Sequence, residues 1–171
     1  WGWDQMREAA TASAVYDELR VAAAAKDAGK VGQVAGTLFE KHGRTVYARM
    51  GALLAAKAHA DAGDLKAAKA PLQWLVDKGG DDEFARLARV RLAGILLDEK
   101  AYDEGLKLLP LESAGDFAGS YADRRGDLLL AQGKTEEARA AWRLSLEKLP
   151  QRSPLRALVE IKLDALGGAG A

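Results

Sequence analysis

The sequence predicts an all-α fold, a right-handed superhelix of about four helical hairpins closed by a C-terminal capping helix. Turn residues recur at near-constant spacing, at Gly29, Gly63, Lys100 and Gly133, with intervals of 63 − 29 = 34, 100 − 63 = 37 and 133 − 100 = 33 residues. Runs with the two-residue period of a strand are absent, and alanine, the best helix former, is abundant. A repeat of about 34 residues is typical of stacked helical hairpins.

The clearest copy of the repeat runs from residue 122 to residue 150. Small side chains at three positions let two antiparallel helices approach closely, Gly133 allows the turn between them, and Trp142 fills the space toward the next hairpin. The small residues are Gly126, Ala138 and Ser145. Pro150 ends the unit. This spacing is that of the tetratricopeptide repeat (TPR), which forms binding surfaces rather than reaction sites.

Nine helices account for the pattern, paired in sequence as four hairpins with the ninth helix left over. Helix one is indicated by apolar residues at helical spacing, and Thr45 and Asp64 are N-caps that start helices three and four. His42 and Gly43 end helix two. The expected spans of the first four helices are 4–28, 31–41, 45–62 and 64–79.

The later helices also begin and end at recognisable residues. The carboxylates of Asp81, Asp82 and Glu83 lie where the dipole of helix five favours negative charge. Pro110 cuts helix six short and opens a loop. Ser153-Pro154, an N-cap followed by proline at the first helical position, starts the last helix, which has no partner in sequence and is therefore a capping helix. The expected spans are 83–98, 102–109, 117–132, 135–149 and 154–166.

Length and charge fit one interaction domain. A chain of 171 residues can bury about 70% of its unfolded surface, and we expect one TPR-like domain over residues 1–166 with a flexible tail at 167–171. The 25 basic and 25 acidic residues cancel, which argues against a nucleic-acid partner. Cysteine is absent, which excludes disulfides and thiolate chemistry. No segment has the roughly 18 consecutive apolar residues of a membrane span.

Motifs that could indicate catalysis have simpler structural explanations. The triplet Gly133-Lys134-Thr135 resembles the end of a phosphate-binding loop, but Leu128 stands where that loop needs glycine. Ser145 starts a Ser-x-x-Lys motif whose Ser-Asp-Asn companion is impossible in a chain without asparagine. His42 and His59 have no helical co-ligand for a metal. We therefore expect no catalytic residue, no metal, no cofactor and a protein that is not an enzyme.

The candidate binding surface is the concave face of the superhelix, which the first helix of each hairpin lines. An exposed apolar groove there would mark an interaction site and suit extended or helical apolar segments. The alternative is that helix nine or the long first helix fills this face as ordinary core. The apolar residues expected on it are Tyr16, Leu19, Met50, Leu53, Leu87, Val90, Leu97 and Leu130, and the polar ones are Lys26, Lys57, Asp123 and Asp127.

Several stretches resemble the YfgM family of bacterial periplasmic TPR proteins, over about residues 4–166. The order of well-kept and degenerate copies, with a single last helix, is more specific than any one motif. Asp164 departs from the asparagine expected near the end of that helix and is not a site residue. The matching stretches are 47–48, 55–57, 63–68, 86–93, 122–134, 138–142 and the final helix at 155–166 with Ile161-Lys162-Leu163.

The resemblance implies a location and partners. Family members have a short cytoplasmic N-terminus, one transmembrane helix, and this domain on the periplasmic side of the bacterial inner membrane. They associate with the SecYEG translocon and with the membrane-anchored prolyl isomerase PpiD, as ancillary subunits or chaperones for emerging, unfolded secretory proteins. The membrane anchor would precede this chain, and Trp1-Gly2-Trp3 fits the aromatic belt outside a membrane span.

Two alternatives stay open beside this interpretation. The residues Trp1-Gly2-Trp3 can simply form the start of helix one. A TPR adaptor in another bacterial envelope or cell-division assembly would share the same repeats, because the repeat fold does not by itself specify the partner.

Overall fold

The computed structural model describes residues 1–79 and 82–167, and every regular element within them is helical. Two short 3-10 turns, Leu111–Ser113 and Gly115–Phe117, lie between the sixth and seventh α-helices. The predicted all-α hairpin fold is confirmed. The helices are α1 (Gly2–Ala24), α2 (Ala28–His42), α3 (Val46–Asp61), α4 (Leu65–Gly79), α5 (Glu83–Asp98), α6 (Tyr102–Lys107), α7 (Ala118–Ala131), α8 (Thr135–Lys148) and α9 (Leu155–Ala165).

The turns inside the four hairpins share one backbone geometry. Each turn residue has a positive φ, and the residue after it donates its N–H to a carbonyl five residues earlier, which is the Schellman ending of a helix. The turn residues are Lys26 (φ 56°), Gly63 (82°), Lys100 (63°) and Gly133 (79°). The bonds run from Asp27 to Ala22 (3.0 Å), Asp64 to His59 (2.9 Å), Ala101 to Leu96 (2.8 Å) and Lys134 to Leu129 (2.9 Å).

The first turn lies at Lys26, so the turn predicted at Gly29 is wrong. Gly29 is instead in the first turn of α2, whose N-cap Asp27 accepts a hydrogen bond from the Lys30 N–H at 3.2 Å. The turns are therefore spaced 63 − 26 = 37, 100 − 63 = 37 and 133 − 100 = 33 residues apart. A left-handed conformation costs a lysine only about 1–2 kcal/mol, which hairpin packing can offset, so glycine need not mark the turn.

The N-caps predicted at Thr45 and Asp64 are confirmed, and Asp82 caps α5 in the same way. Each cap side chain accepts a hydrogen bond from the backbone three residues on, which satisfies one of the free N–H groups at a helix start. The bonds are Ala48 N–H to Thr45 Oγ1 (3.3 Å), Ala67 N–H to Asp64 Oδ1 (2.9 Å) and Ala85 N–H to Asp82 Oδ1 (2.7 Å). The third bond shows that Asp82 starts α5, while Asp81 lies outside the described residues.

Contacts divide the chain into two compact units, residues 1–88 and the residues from 89 onward. The first unit has a core cluster in which α1, α2 and α3 meet, with Leu19, Val31, Leu38, Ala48 and Ala55 among its members. The second unit has one cluster around Ala93, Leu109, Tyr121 and Leu128, and another around Trp142, Leu149, Val159 and Leu163.

The α7–α8 hairpin shows why its small residues are needed. The Trp142 indole N–H donates to the Asp123 carbonyl at 3.0 Å, and the ring fills the space in front of Gly126. The Ser145 hydroxyl donates to the Gly119 carbonyl at 2.7 Å, and both partners are buried. Larger side chains at these positions would separate the two helices.

The last helix begins one residue later than predicted, with Pro154 and not Ser153 at the N-cap position, although the Ser153 hydroxyl accepts a hydrogen bond from the Leu155 N–H at 3.3 Å. This helix packs on the α7–α8 hairpin. Val159 and Leu163 of α9 are buried in the same cluster as Trp142. Of the tail predicted at residues 167–171, only Gly167 is described, with a φ of 74°; residues 168–171 lie outside the described part of the chain.

Candidate protein-binding groove

An open groove lies between α1 and α3, the first helices of the first two hairpins. Its volume is about 770 Å³. We name it the α1–α3 groove. It is lined by Asp17, Arg20, Val21, Ala23 and Ala24 of α1 and by Leu54, Lys57, Ala58 and Asp61 of α3.

The apolar part of this groove is partly open to solvent, although Ala23, Leu54 and Ala58 also pack against the core of the first unit. Val21 is 70% exposed, and it lies with Ala24 on α1 while Leu54 and Ala58 contribute from α3. Single exposed apolar residues are common on protein surfaces, whereas contiguous ones mark contact sites. The alanines keep the groove wide, because their side chains end at Cβ.

The charged groups of the groove pair with one another. Arg20 Nη1 lies 3.6 Å from Asp17 Oδ1. Lys57 Nζ donates to Asp61 Oδ2 at 2.7 Å. Both pairs are exposed, so they add little stability. Two cations and two carboxylates cancel, and the α1–α3 groove therefore does not select a ligand by net charge.

Neither predicted concave residue of α1, Tyr16 or Leu19, lines the groove. Leu19 is 0% exposed and belongs to the core of the first unit, so its assignment to a surface is wrong. Tyr16 is half-buried, and its ring centroid lies 6.0 Å from that of Tyr47. The groove uses the next residues, Asp17 and Arg20. One position along a helix is a rotation of about 100°, which is enough to exchange a core face for an open one.

The other predicted positions are distributed over both units. Met50, Leu53 and Leu87 are half-buried, and Lys57 lines the groove as expected. The turn residue Lys26 lines a smaller cavity of about 250 Å³ with Ala58 and Asp61.

Three predicted residues belong to the second unit. Two of them pack beside a core cluster, and the third is exposed. Val90 and Leu97 pack against the cluster around Ala93 and Tyr121. Leu130 is 38% exposed on α7. The concave-face pattern therefore included an exposed apolar residue on α7. It missed Val21, which is exposed, and Leu54, which is half-buried, because their exposure depends on where α1 and α3 touch.

The α9 helix covers the two predicted carboxylates of α7. Lys162 Nζ donates to Asp123 Oδ1 at 2.9 Å and to Asp127 Oδ1 at 2.8 Å. Arg124 also pairs with Asp127, at 3.1 Å. Burial, together with the charge of Asp127, raises the pKa of the Asp123 carboxyl, and the Lys162 ammonium opposes this rise. This part of α7 is therefore occupied by a helix of the same chain.

Within the described ranges, no group of three His, Cys, Asp or Glu side chains is placed to hold a metal ion. None of the helices in those same ranges combines the length and apolar character needed to cross a membrane.

The sequence matches the model of the family described as tetratricopeptide repeat-like domain over residues 1–168. The chain belongs to this family. It is similar to the Ancillary SecYEG translocon subunit of Neisseria gonorrhoeae, with 34% identity over 129 residues, which are 75% of this chain and 62% of that protein. It is also similar to the Ancillary SecYEG translocon subunit of Escherichia coli, with 28% identity over 167 residues, which are 97% of this chain and 79% of that protein.

These relatives confirm the resemblance to the YfgM family that the sequence motifs indicated. The chain spans less than two thirds of the Neisseria gonorrhoeae relative. The TPR-like family and the names of the relatives indicate a protein-interaction role.

Proposed function

We propose that this chain is the periplasmic domain of a membrane-anchored ancillary subunit of the SecYEG translocon, and that its α1–α3 groove holds apolar segments of emerging secretory proteins. The observation that carries the proposal is a neutral groove with a partly exposed apolar lining, on a TPR-like domain whose relatives have this name. A PpiD-like chaperone is the expected second partner. The proposal includes no catalytic step.

The composition of the groove supports holding rather than selective recognition. Val21, Leu54 and the alanines offer apolar contact. The charged side chains of the groove are paired with one another, so none of them requires a charged group on the ligand. Such a surface binds many apolar sequences, each with weak affinity. Tethering near the translocon exit would raise the effective concentration, so that weak affinity suffices.

Photo-crosslinking in bacterial membranes tests this proposal. A photoreactive residue is placed at position 24 or 54 of the full-length anchored protein, and a matched probe is placed at Ala70, an exposed residue of α4. We expect adducts with stalled secretory chains or translocon subunits from 24 and 54 and none from 70. Equal labelling from 70, or none from the groove, would overturn the groove assignment. Adducts only with soluble envelope or cell-division proteins would favour the adaptor function.

A pair of valine substitutions separates binding from folding. Val21→Asp places a charge in the lining of the groove, and Val46→Asp places the same charge at another exposed valine, which is 45% exposed. We expect Val21→Asp to weaken binding of an unfolded secretory protein roughly tenfold, because a carboxylate must be desolvated against an apolar segment. Val46→Asp should bind normally, and both variants should keep the helical circular dichroism signal. If Val21→Asp binds like the parent, the groove is not the holding surface.

A further inference from the structure

A second cavity of the first unit shares no lining residue with the α1–α3 groove. It lies where α2 and α4 end and α3 begins, and its volume is about 610 Å³. We name it the α2–α4 cleft. Its lining residues include Phe39 and Glu40 of α2, Arg44 before α3, and Trp74 and Lys78 of α4.

The cleft has a fixed aromatic wall. The rings of Phe39 and Trp74 stack with centroids 4.5 Å apart and an angle of 18° between their planes. The Trp74 indole also lies against the backbone at Gly43, since a Cβ built there would be 3.5 Å from the ring. Trp74 is only half-buried, so this held indole presents apolar and π surface to an incoming side chain.

The cleft carries a small excess of positive charge. Four cations and two carboxylates line it, namely Lys41, Arg44, Arg49, Lys78, Glu8 and Glu40. Arg49 Nε lies 3.1 Å from Asp82 Oδ2, and Glu8 Oε1 lies 4.0 Å from His42 Nδ1. Among the described residues, no carboxylate lies within 4.0 Å of the other three cations. Counting Asp82, the four cations exceed the three carboxylates by one.

We propose that the α2–α4 cleft binds an acidic polypeptide segment that carries an aromatic or large aliphatic side chain beside its carboxylates. The apolar side chain packs on Trp74, and the carboxylates accept hydrogen bonds from Arg44 and Lys78. An arginine guanidinium suits this role because it donates to a carboxylate in a bidentate manner. A recess of about 610 Å³ admits side chains, whereas a flat membrane surface would meet only its rim. This site is separate from the holding groove, which is neutral.

Fluorescence anisotropy with synthetic peptides tests the proposal on the intact chain. The probe is a fluorescein-labelled peptide with a Phe among four Asp and Glu residues, and its partners replace the Phe by Ser or the acidic residues by Lys. We expect only the acidic, Phe-containing peptide to bind. Raising the salt to about 0.5 M should weaken it, because screening acts on exposed charges.

A charge-reversal variant with a matched control locates the site. Arg44→Glu with Lys78→Glu should weaken peptide binding roughly tenfold or more, because like charges then face the peptide. Lys66→Glu with Lys134→Glu makes the same change in net charge at exposed positions outside the cleft and should change the Kd less than about twofold. All four replaced residues are exposed, so the fold should survive in both variants.

Three results would overturn the proposal. The first is that the acidic Phe-containing peptide does not bind. The second is that the control variant weakens peptide binding as much as the cleft variant does. The third is that the protein binds phosphatidylglycerol vesicles but not the peptide, which would assign the positive charge to a lipid surface. Val21→Asp should leave peptide binding unchanged. That variant therefore distinguishes failure of the cleft from failure of the holding groove.

Discussion

Replacing Gly126 by alanine tests whether close approach of α7 and α8 is what stabilises the last hairpin. In an isolated helix the change is favourable by about 1 kcal/mol, because glycine is a poor helix former. In this hairpin the added Cβ would lie 2.7 Å or less from three atoms of the Trp142 indole. One of these atoms is Nε1, which donates the buried hydrogen bond to the Asp123 carbonyl at 3.0 Å.

The expected magnitude follows from these contacts. Overpacking a filled core costs about 1–3 kcal/mol. Displacing the indole leaves a buried donor or acceptor unpaired, at a further cost of about 1–3 kcal/mol. Subtracting the gain of about 1 kcal/mol in helix propensity leaves a net destabilisation of roughly 3 kcal/mol. For a chain of this size, that corresponds to a fall in Tm of roughly 6–12 °C.

Thermal and urea unfolding followed by far-UV circular dichroism would measure this change. The matched control is Gly36→Ala in the interior of α2, where a new Cβ meets nothing within 4 Å. This control should gain about 1 kcal/mol. If Gly126→Ala were as stable as the parent or as stable as the control, the packing argument for the small position would be refuted.

Three further predictions use the same unfolding assay. Asp64→Ala should cost about 1 kcal/mol, because it removes the acceptor of the Ala67 N–H; an unchanged Tm would show that the cap contributes nothing. Lys26→Gly should stabilise by up to about 1 kcal/mol, because glycine adopts the φ of 56° without steric cost; a destabilised variant would contradict this. The pKa of Asp123 is raised above 3.8 in the folded protein, with burial the first cause and Asp127 the second, so its contribution to the free energy of unfolding falls as the pH rises above 3.8. Asp123→Asn should remove that part of the pH dependence, and an unchanged pH profile would refute the assignment.

Local signals in the sequence located most helices and their starts. Thr45, Asp64 and Asp82 are N-caps whose acceptors lie within three residues of the N–H groups they bind. The hairpin turns at Gly63 and Gly133 were found because glycine adopts positive φ at no steric cost. The turn at Lys26 was missed because Gly29, three residues later, lies at the repeat spacing of 34 residues before Gly63, whereas Lys26 adopts a φ of 56° without being a glycine.

The candidate site was harder to predict than the fold. Periodicity places Tyr16, Leu19, Asp17 and Arg20 on neighbouring faces of one helix, but it does not say which face another helix will cover. Because α1 is rich in alanine on all sides, its apolar pattern does not distinguish these faces. The contact of α1 with α2 and α3 makes Leu19 core and leaves the next residue, Arg20, at the groove.

By itself, the sequence determined the helical hairpins, their approximate spacing, the N-caps and the family, because each depends on residues close together in the chain or on repeated motifs. Only the tertiary structure decided which faces stay open and which charges meet. Lys162 reaches Asp123 and Asp127 across 39 and 35 residues, and Arg49 reaches Asp82 from another helix. Such contacts depend on how helices rotate to bury the most apolar surface, which is a property of the packed unit and not of any one segment.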